Sequence, residues 1–152
     1  HETHFFIIHR LIHLPFLYKH VHSVHHNSVN PSPYSSLSMH PVELLLYLGM
    51  ALWHLVIPSN PILALYQLHR AGFGAIPGHI GFDKIEVGEN GGLDTHAYIH
   101  YLHHKHFEVN YGDGLIPFGK WFGTFHDGSK EAQARMDERY ARKVARLNAS
   151  DS

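Results

Sequence analysis

Histidines are the residues of this chain that most constrain its fold. The sequence has eighteen histidines and no cysteine among 152 residues. Within an α-helix, residues three and four positions apart lie on one face, about a turn from each other. Three clusters stand out at this spacing, namely the pair His9 and His13, the triplet His22, His25 and His26, and the triplet His100, His103 and His104. We therefore expect three helices, each aiming its imidazoles at one point, with more imidazoles in total than one metal ion can use.

Such histidines have plainer interpretations as surface residues, satisfied core donors or a loose metal-buffering tract. Buffering tracts are low in complexity, whereas here large apolar residues alternate with the histidines in 5–12 and in 98–102. That environment is typical of packed helices. Two separate triplets and a pair in one short chain favour a built metal site over these alternatives.

Composition limits the possible class of protein. A chain of 152 residues is long enough for one domain with a buried core. Its formal net charge of -1 gives no indication of nucleic acid as a partner. The lack of cysteine excludes disulfides, thiolate zinc sites and cysteine-bound iron–sulfur clusters. Because the chain begins at His1, inside a histidine-rich helix and without a signal-peptide pattern, we expect a fragment whose N-terminal part is missing.

Two histidine-bearing helices are predicted near the start of the chain. An apolar helix from about 2 to 14 ends before Pro15, because proline disfavours helical geometry in the residue before it. A second helix from about 16 to 26 carries the first triplet. The segment 27–39 contains Pro31, Pro33 and several serines, which predicts a loop without regular structure.

The segment 44–78 is predicted to form a helical hairpin. No Asp, Glu, Lys or Arg occurs between Leu44 and His69, and Pro58 and Pro61 break this apolar run in its middle. Each arm has about sixteen residues, or roughly 24 Å of helix, against roughly 30 Å of hydrocarbon in a bilayer. A buried hairpin of a soluble bundle is therefore an alternative, but interfacial aromatic residues favour a membrane-embedded hairpin. They are Tyr47, Trp53 and Tyr66.

A third ligand helix is predicted after a glycine-rich stretch that carries the isolated His79. A turn at 88–92 precedes a helix from about 93 to 107, which Asp94 is placed to cap and the turn residues 110–114 end. From residue 129 onward the tail is highly charged, yet apolar residues recur in it at helical spacing. This pattern predicts a solvated amphipathic helix, with docking of a partner as an alternative role.

The number of imidazoles limits which metal centre is possible. A structural zinc ion takes four ligands and an open catalytic zinc site three, so eight clustered histidines indicate two ions. The Glu-x-x-His pairs of ferritin-like di-iron bundles and the His-Glu-x-x-His pattern of zinc proteases are absent from the sequence. A bis-histidine haem protein would need single histidines on facing helices. What remains is a dinuclear, almost all-imidazole site for iron, zinc or copper, with the ions about 3.5–6 Å apart.

Five motifs follow one another between about 2 and 127. They are His9-Arg-x-x-His13, His22-x-x-His25-His26, His40-Pro-x-Glu43, Gly78-His79-x-Gly81, and His100-x-x-His103-His104 followed by Phe107-x-x-Asn110-Tyr-Gly112. Their order resembles that of the fatty acid hydroxylase and sterol desaturase superfamily, whose members are membrane-bound, non-haem di-iron, oxygen-dependent enzymes. Three histidine boxes in order with the Asn-Tyr-Gly element are specific. The chain departs from the family pattern at Glu2, where Asp is common, and at Ser23, where Lys is common.

The resemblance implies a set of ligands and of residues around them. The eight clustered histidines and His79 would hold two iron ions, which zinc could replace in a purified protein. Second-tier candidates are His4, His40 and His96. Carboxylates available to orient ligand imidazoles are Glu2, Glu43, Asp83, Asp94 and Glu108. The histidines predicted to be structural or surface residues are His1, His20, His54, His69, His106 and His126.

The resemblance also implies a fold, an activity and partners. The fold would be all-α, with the membrane hairpin 44–78 and a histidine-lined di-metal domain on the cytosolic face of a bacterial inner membrane or of the endoplasmic reticulum. Residues 1–128 would form the catalytic domain, lacking part of its N-terminus, and 129–152 a charged amphipathic tail. The activity would be O2-dependent hydroxylation or desaturation of an unactivated C–H position in a sterol or fatty-acyl lipid. Electrons would come from a reductase through a cytochrome- or ferredoxin-type carrier.

A second hypothesis is a membrane metal-binding or transport protein without catalytic activity. Its histidines would line a path across the membrane, but the hairpin arms carry only His54 and His69. Two histidines are too few for such a path, so the sequence favours the oxygenase.

Overall fold

A computed structural model describes residues 1–89, 91–112 and 114–150 of the chain. Most of these residues are helical, and a two-stranded antiparallel sheet is a departure from the predicted all-α fold. The helices are α1 (Glu2–Ile12), α2 (Pro15–Leu17), α3 (Ser23–His26), α4 (Pro41–Leu48), α5 (Trp53–Val56), α6 (Pro61–Phe73), α7 (Ala75–Gly78), α8 (Ala97–His106), α9 (Phe118–Trp121) and α10 (Lys130–Ser150). The strands are β1 (Lys84–Val87) and β2 (Gly91–Asp94).

The two helices predicted near the start of the chain are both present. Leu14 has the extended geometry that a following proline requires, and this ends α1. From Pro15 to His26 the chain stays helical through α2, a π-helical turn at Tyr18–His22, and α3. A π-helical turn holds one residue more than an α-helical turn, and such turns are frequent at functional sites. This one sets the direction in which the first triplet projects.

The segment 27–39 is more ordered than its composition predicts. A 3-10 turn covers Pro33–Leu37 and begins with a capping box between Ser32 and Ser35. Ser36 is fully buried, and its hydroxyl donates to the carbonyl oxygen of Pro33 over 2.6 Å. The serines that predicted an irregular loop instead stabilise a turn with their side chains.

The segment 44–78 folds as a helical hairpin, as the prolines predict. The first arm consists of α4, a 3-10 turn at Gly49–Leu52, and α5, and the second of α6 and α7. Asn60 caps α6 by accepting from the backbone N–H of Ile62 over 3.0 Å. The arms pack on each other, since α6 contacts both α4 and the 3-10 turn. Among the described residues, none of the helices combines the length with the apolar character that crossing a bilayer requires.

A β-hairpin replaces the start of the predicted third helix. β1 and β2 pair with Lys84 opposite Asp94, and α8 begins at Ala97 rather than near residue 93. Two acids cap the entry to α8, because Asp83 accepts from the N–H of Tyr98 over 2.6 Å and Asp94 accepts from that of His96 over 2.8 Å. The chain turns at His96, whose φ is 55°.

Outside the histidines, the buried core combines aliphatic side chains with stacked aromatic rings. Phe6 on α1 stacks on Phe118 and Phe122, at ring-centroid distances of 4.6 and 5.5 Å. The predicted helix in the charged tail is present as α10, and Ala132 near its start is buried against the body of the protein. Farther along, α10 exposes large side chains such as Tyr140.

Candidate metal centre

All nine histidines predicted as ligands lie in two groups at the centre of the fold. Within each group, the ligand atoms lie within 4.8 Å of one another. The groups are adjacent, because the ring centroids of His26 and His104, which belong to different groups, are 4.7 Å apart. Group one consists of His9, His13, His22, His26 and His103, and group two of His25, His79, His100 and His104.

Each triplet contributes to both groups, for a reason that lies in helix geometry. Viewed down the axis of an α-helix, the side chain at i+4 is rotated by about 40° from that at i, whereas the side chain at i+3 is rotated by about 60° in the opposite sense. His22 and His26 therefore enter group one together, while His25 enters group two. In the second triplet, His100 and His104 are the residues four apart, and they enter group two together, while His103 enters group one. The prediction that each triplet aims at one point is wrong: the two groups share both triplets.

Imidazole nitrogens within each group face one another at the distances of ligands on a common ion. The Nε2 atom of His103 lies 3.2 Å from that of His13 and 3.1 Å from that of His26. In group two, the Nε2 atoms of His79 and His100 lie 3.3 Å apart. Two nitrogens bound at about 2.1 Å from one ion are about 3.0 Å apart at a right angle and about 3.4 Å apart at a tetrahedral angle. The donor spacing in both groups thus fits a metal ion bound by imidazoles.

Backbone carbonyls hold the second ring nitrogen of several ligands. A histidine that donates from Nδ1 presents an unprotonated Nε2, which is the atom that binds metal. The hydrogen bonds of this kind run over 2.6–3.3 Å and fix both the tautomer and the ring orientation. Their pairs are His9 with Tyr111, His103 with Val109, His25 with Ser38, and His79 with Ala75.

Glu43 does the same for a fifth ligand with its side chain. The Nδ1 atom of His22 donates to Oε1 of Glu43 over 2.8 Å, and both residues are fully buried. Burial raises the pKa of Glu43 to about 8. This carboxyl is the predicted orienting group that reaches a ligand, and it lies at the start of α4, where His40 caps the helix by accepting from the N–H of Val42.

The other carboxylates predicted as orienting groups have different partners. Oε2 of Glu2 accepts from the backbone N–H of Ile116 over 3.4 Å. Glu108 binds Lys143 at 2.6 Å on the surface, while Asp83 and Asp94 cap α8 as described above. These partners assign the four acids to the fold rather than to the ligands.

Burial keeps the ligand imidazoles uncharged. It lowers the pKa of His13 to about 2, that of His103 to about 3 and that of His25 to about 4. Burial and the neighbouring imidazoles also lower the pKa of His9 and of His26. The pKa values of the other four ligands are lowered by burial as well. Metal ions bind the neutral form of imidazole, so all nine are in the binding-competent state at neutral pH.

The Asn-Tyr-Gly element positions two of the carbonyls just described. Asn110 has a φ of 52° and donates from Nδ2 to the carbonyl oxygen of His126 over 2.8 Å. Its Oδ1 accepts from the backbone N–H of the same residue, also over 2.8 Å. Val109 and Tyr111, on either side of Asn110, carry the carbonyls that hold His103 and His9. The element therefore acts on the ligands through the backbone, which a sequence motif alone does not reveal.

The second-tier histidines lie outside both groups. His4 bridges α1 to the hairpin, since its Nε2 lies 3.0 Å from the carbonyl oxygen of Leu46 and its Nδ1 accepts from the indole N–H of Trp53. The Nδ1 of His96 lies 3.4 Å from Asp94. His126 is buried, as expected of a structural residue, and its ring stacks on that of His106 at 4.9 Å.

A cavity beside the two groups is lined by ligands from both of them. At this end its wall includes His9 of group one and His25, His79 and His100 of group two. The wall as a whole exposes more apolar than polar surface, and its other charged or polar side chains are His1, His4, Glu43, Arg70, Thr95 and His96. The apolar side chains that line it include Phe5, Met39, Tyr47, Met50 and Ile99. A nonpolar molecule in this cavity would lie against the ligands of both groups.

Comparison with known proteins identifies the family. The family model for fatty acid hydroxylase matches residues 1–124, which include both histidine groups and the Asn-Tyr-Gly element. The chain belongs to the fatty acid hydroxylase family.

Named relatives of the chain are lipid-modifying enzymes. It is 27% identical over 139 residues to a Delta(7)-sterol 5(6)-desaturase of Aspergillus fumigatus, covering 86% of this chain and 37% of that protein. It is 31% identical over 139 residues to sphinganine C4-monooxygenase 2 of Arabidopsis thaliana, covering 88% of this chain and 54% of that protein. The chain thus spans about a third of the length of the desaturases it matches. No solved structure matches it.

Proposed function

We propose that this protein forms the metal centre of an O2-dependent enzyme that hydroxylates or desaturates a membrane lipid. The observation that carries the proposal is the pairing of two adjacent imidazole groups with one apolar cavity. Nine uncharged nitrogen donors in two groups suit two iron ions, although zinc and copper accept the same ligands. Bound iron would supply O2 reduction, and with it an oxidant able to take hydrogen from an unactivated C–H bond.

The residues of the chain hold and orient this centre. Carbonyl oxygens and Glu43 keep the proton on Nδ1, so that Nε2 of each of these ligands stays available. Phe5, Tyr47 and Met50 line the cavity with apolar surface, which would exclude water from the reacting carbon and protect a reactive oxidant from side reactions. Positioning and exclusion of water are the contributions that the protein itself would make.

The cavity supports a lipid as the substrate. The apolar side chains of its wall match the nonpolar character of a sterol or an acyl chain, and relatives of the chain include enzymes named for sterols and for sphinganine. Hydroxylation and desaturation begin with the same removal of a hydrogen atom, so one site serves either outcome. The lipid would enter with the carbon to be oxidised next to His9, His25 and His100.

The hairpin 44–78 would embed this centre in a membrane. Its tip exposes large apolar side chains, with Leu55 83%, Val56 75% and Ile62 69% accessible. Contiguous apolar surface of this kind marks a contact with lipid or with another protein. A hairpin returns to the side it left, so the metal centre would lie on one face of the membrane, which we propose is the cytosolic face.

Metal content and lipid product, measured together, test the proposal. The full-length protein, purified with iron, should bind two ions and convert a sterol, sphingoid base or fatty acid in the presence of O2 and a reductant. His104→Ala leaves group two with three histidines, so it should lower the iron content and abolish the product, whereas the exposed His20→Ala should change neither. A protein that binds two irons but consumes no O2 with any of these lipids would be a metal-binding protein instead.

A further inference from the structure

A basic cleft lies between α9, α10 and the segment that joins them. Among the described residues that line it, positive charges outnumber negative ones, although the formal net charge of the chain is -1. The charged residues are Lys120, Arg135, Arg139 and Arg142, with Glu138 as the acid. The cleft thus has an excess of positive charge, whereas acidic residues outnumber basic ones in the rest of the chain.

The basic residues of the cleft differ in what they do for the fold. Arg139 donates to the carbonyl oxygens of Gly123 and Glu108, both over 3.1 Å, and so ties α10 to the body of the protein. Lys120 lies 5.0 Å from the ring centroid of Phe125 and is exposed. Arg135 is exposed as well. Lys120 and Arg135 therefore present their charges to solvent from opposite elements of the cleft.

The wall of the cleft is directly connected to a ligand. Val109 lines the cleft, and its carbonyl oxygen accepts the 2.6 Å hydrogen bond from His103 of group one. One residue and one hydrogen bond therefore separate the cleft from a group-one imidazole. Arg139 binds the carbonyl oxygen of Glu108, which is the residue before Val109.

The proposed reaction requires electrons from an external donor, which would need a docking surface on the protein. Hydroxylation consumes one O2, two electrons and two protons, placing one oxygen atom in the C–H bond and releasing the other as water. Desaturation consumes the same two electrons and two protons and releases both oxygen atoms as water. In both reactions O2 takes up four electrons, and oxidation of the lipid supplies two of them. An external donor must therefore deliver the other two in each turnover.

Resting on that proposed function, we propose that the cleft docks a small acidic one-electron carrier protein that donates these electrons. Opposite charge steers such partners together and sets their orientation. Trp121 next to Lys120 is 65% exposed, and Met136 lines the cleft. Arg, Trp and Met are enriched at protein interfaces, which supports a protein as the partner. Two successive docking events, each oxidising one carrier, would supply one turnover.

Binding of a soluble acidic plant-type ferredoxin to the full-length protein tests this proposal. The double variant Lys120→Gln, Arg135→Gln should weaken the Kd about tenfold at low salt. The matched variant Lys84→Gln, Arg146→Gln removes one lysine and one arginine that do not line the cleft, and its Kd should stay within about twofold of wild type. The difference between the two variants should shrink as ionic strength rises, because salt screens exposed charges.

A single turnover after anaerobic chemical reduction separates this proposal from the proposed function. That measurement needs no carrier, so both double variants should give the wild-type yield of lipid product. Loss of this yield in the wild type would overturn the proposed function, not the docking surface. Equal ferredoxin affinity in both double variants would overturn the docking proposal. Binding of phosphatidylserine vesicles through Lys120 and Arg135, with no ferredoxin binding, would also overturn it and assign the cleft to lipid.

Discussion

The Nδ1 atom of His103 donates a 2.6 Å hydrogen bond to the carbonyl oxygen of Val109, six residues further along the chain. The chain turns back after α8 because Phe107 and Asn110 have positive φ angles of 62° and 52°. This reversal aims a carbonyl at the helix that the chain has just left. The orientation of a candidate ligand therefore depends on residues outside its own helix.

Asn110→Ala should destabilise the protein by about 2–4 kcal/mol. The substitution removes two buried hydrogen bonds between the Asn110 side chain and the backbone of His126, and the backbone N–H of His126 then has no acceptor. It also places alanine at a positive φ. This backbone conformation is unfavourable for alanine, whose side chain cannot form the local hydrogen bonds by which asparagine tolerates it. Urea unfolding of the metal-free protein measures the effect, with the exposed Asn30→Ala as the control. Equal free energies of unfolding for the two variants would contradict the clamping role.

His79→Ala should remove metal more completely than His13→Ala. Group two has four histidines and would keep three, whereas group one has five and would keep a full set of four. Metal analysis after gel filtration should give about one ion per chain for the first variant and close to two for the second. A larger loss from the His13 variant would show that the two groups do not bind separate ions.

Glu43→Gln should weaken metal binding without preventing folding. Glutamine retains the shape of the side chain and an acceptor oxygen for His22, but it cannot ionise. A bound cation would favour the carboxylate form of Glu43, and a carboxylate raises the basicity of this imidazole. Replacing such an orienting group typically lowers metal affinity by about 10–100-fold. Competition with a chelator measures the affinity, and the circular dichroism spectrum should match that of the wild type. Unchanged affinity would assign Glu43 to helix packing alone.

The metal-free protein should lose stability as the pH falls below about 6.5. In the folded state the pKa of His25 is lowered to about 4 and that of His103 to about 3, from 6.5. The unfolded chain then binds more protons than the folded chain between these values and 6.5, so acid favours unfolding, by at most about 1.4 kcal/mol per group and pH unit. Glu43, whose pKa is raised to about 8, acts in the opposite direction but is a single group.

Urea midpoints at pH 7.5, 6.5 and 5.5 check this dependence. Bound metal should shift the loss to lower pH, because the ion competes with protons for the same nitrogens. Midpoints that rise between pH 7.5 and 5.5 in the metal-free protein would be inconsistent with neutral, buried imidazoles.

The sequence predicts the candidate ligands better than their arrangement. Helical spacing identifies eight of the nine histidines, because i, i+3 and i, i+4 neighbours share a face whatever the surrounding fold. The ninth, His79, is isolated in the sequence and was predicted only from the family resemblance. It does not show that His25 and His103 cross into the group opposite that of their neighbours, since this depends on how two helices approach each other. Carbonyl partners such as Val109 escape sequence analysis entirely, because every residue has a carbonyl.

For the fold as well, the sequence predicts local features better than contacts between distant segments. Pro58 and Pro61 locate the turn of the helical hairpin because proline acts locally on the backbone. The sequence does not predict the strand Gly91–Asp94, because glycine is a poor strand former and Gly-Gly-Leu-Asp has no alternation of apolar and polar residues. Its pairing with Lys84–Val87 is a contact between segments, which single-residue preferences do not encode.

The burial of so many imidazoles has a consequence for how the protein is made in a cell. His9, His22, His103 and His104 are among its most deeply buried side chains, in positions that a soluble protein of this size ordinarily gives to leucine or valine. Bound cations would hold these imidazoles together, so the metal supply would set how stable the folded protein is. Iron-starved cells would then hold less of it, because the less stable apoprotein unfolds and is degraded more often, and its abundance would report the cellular iron supply.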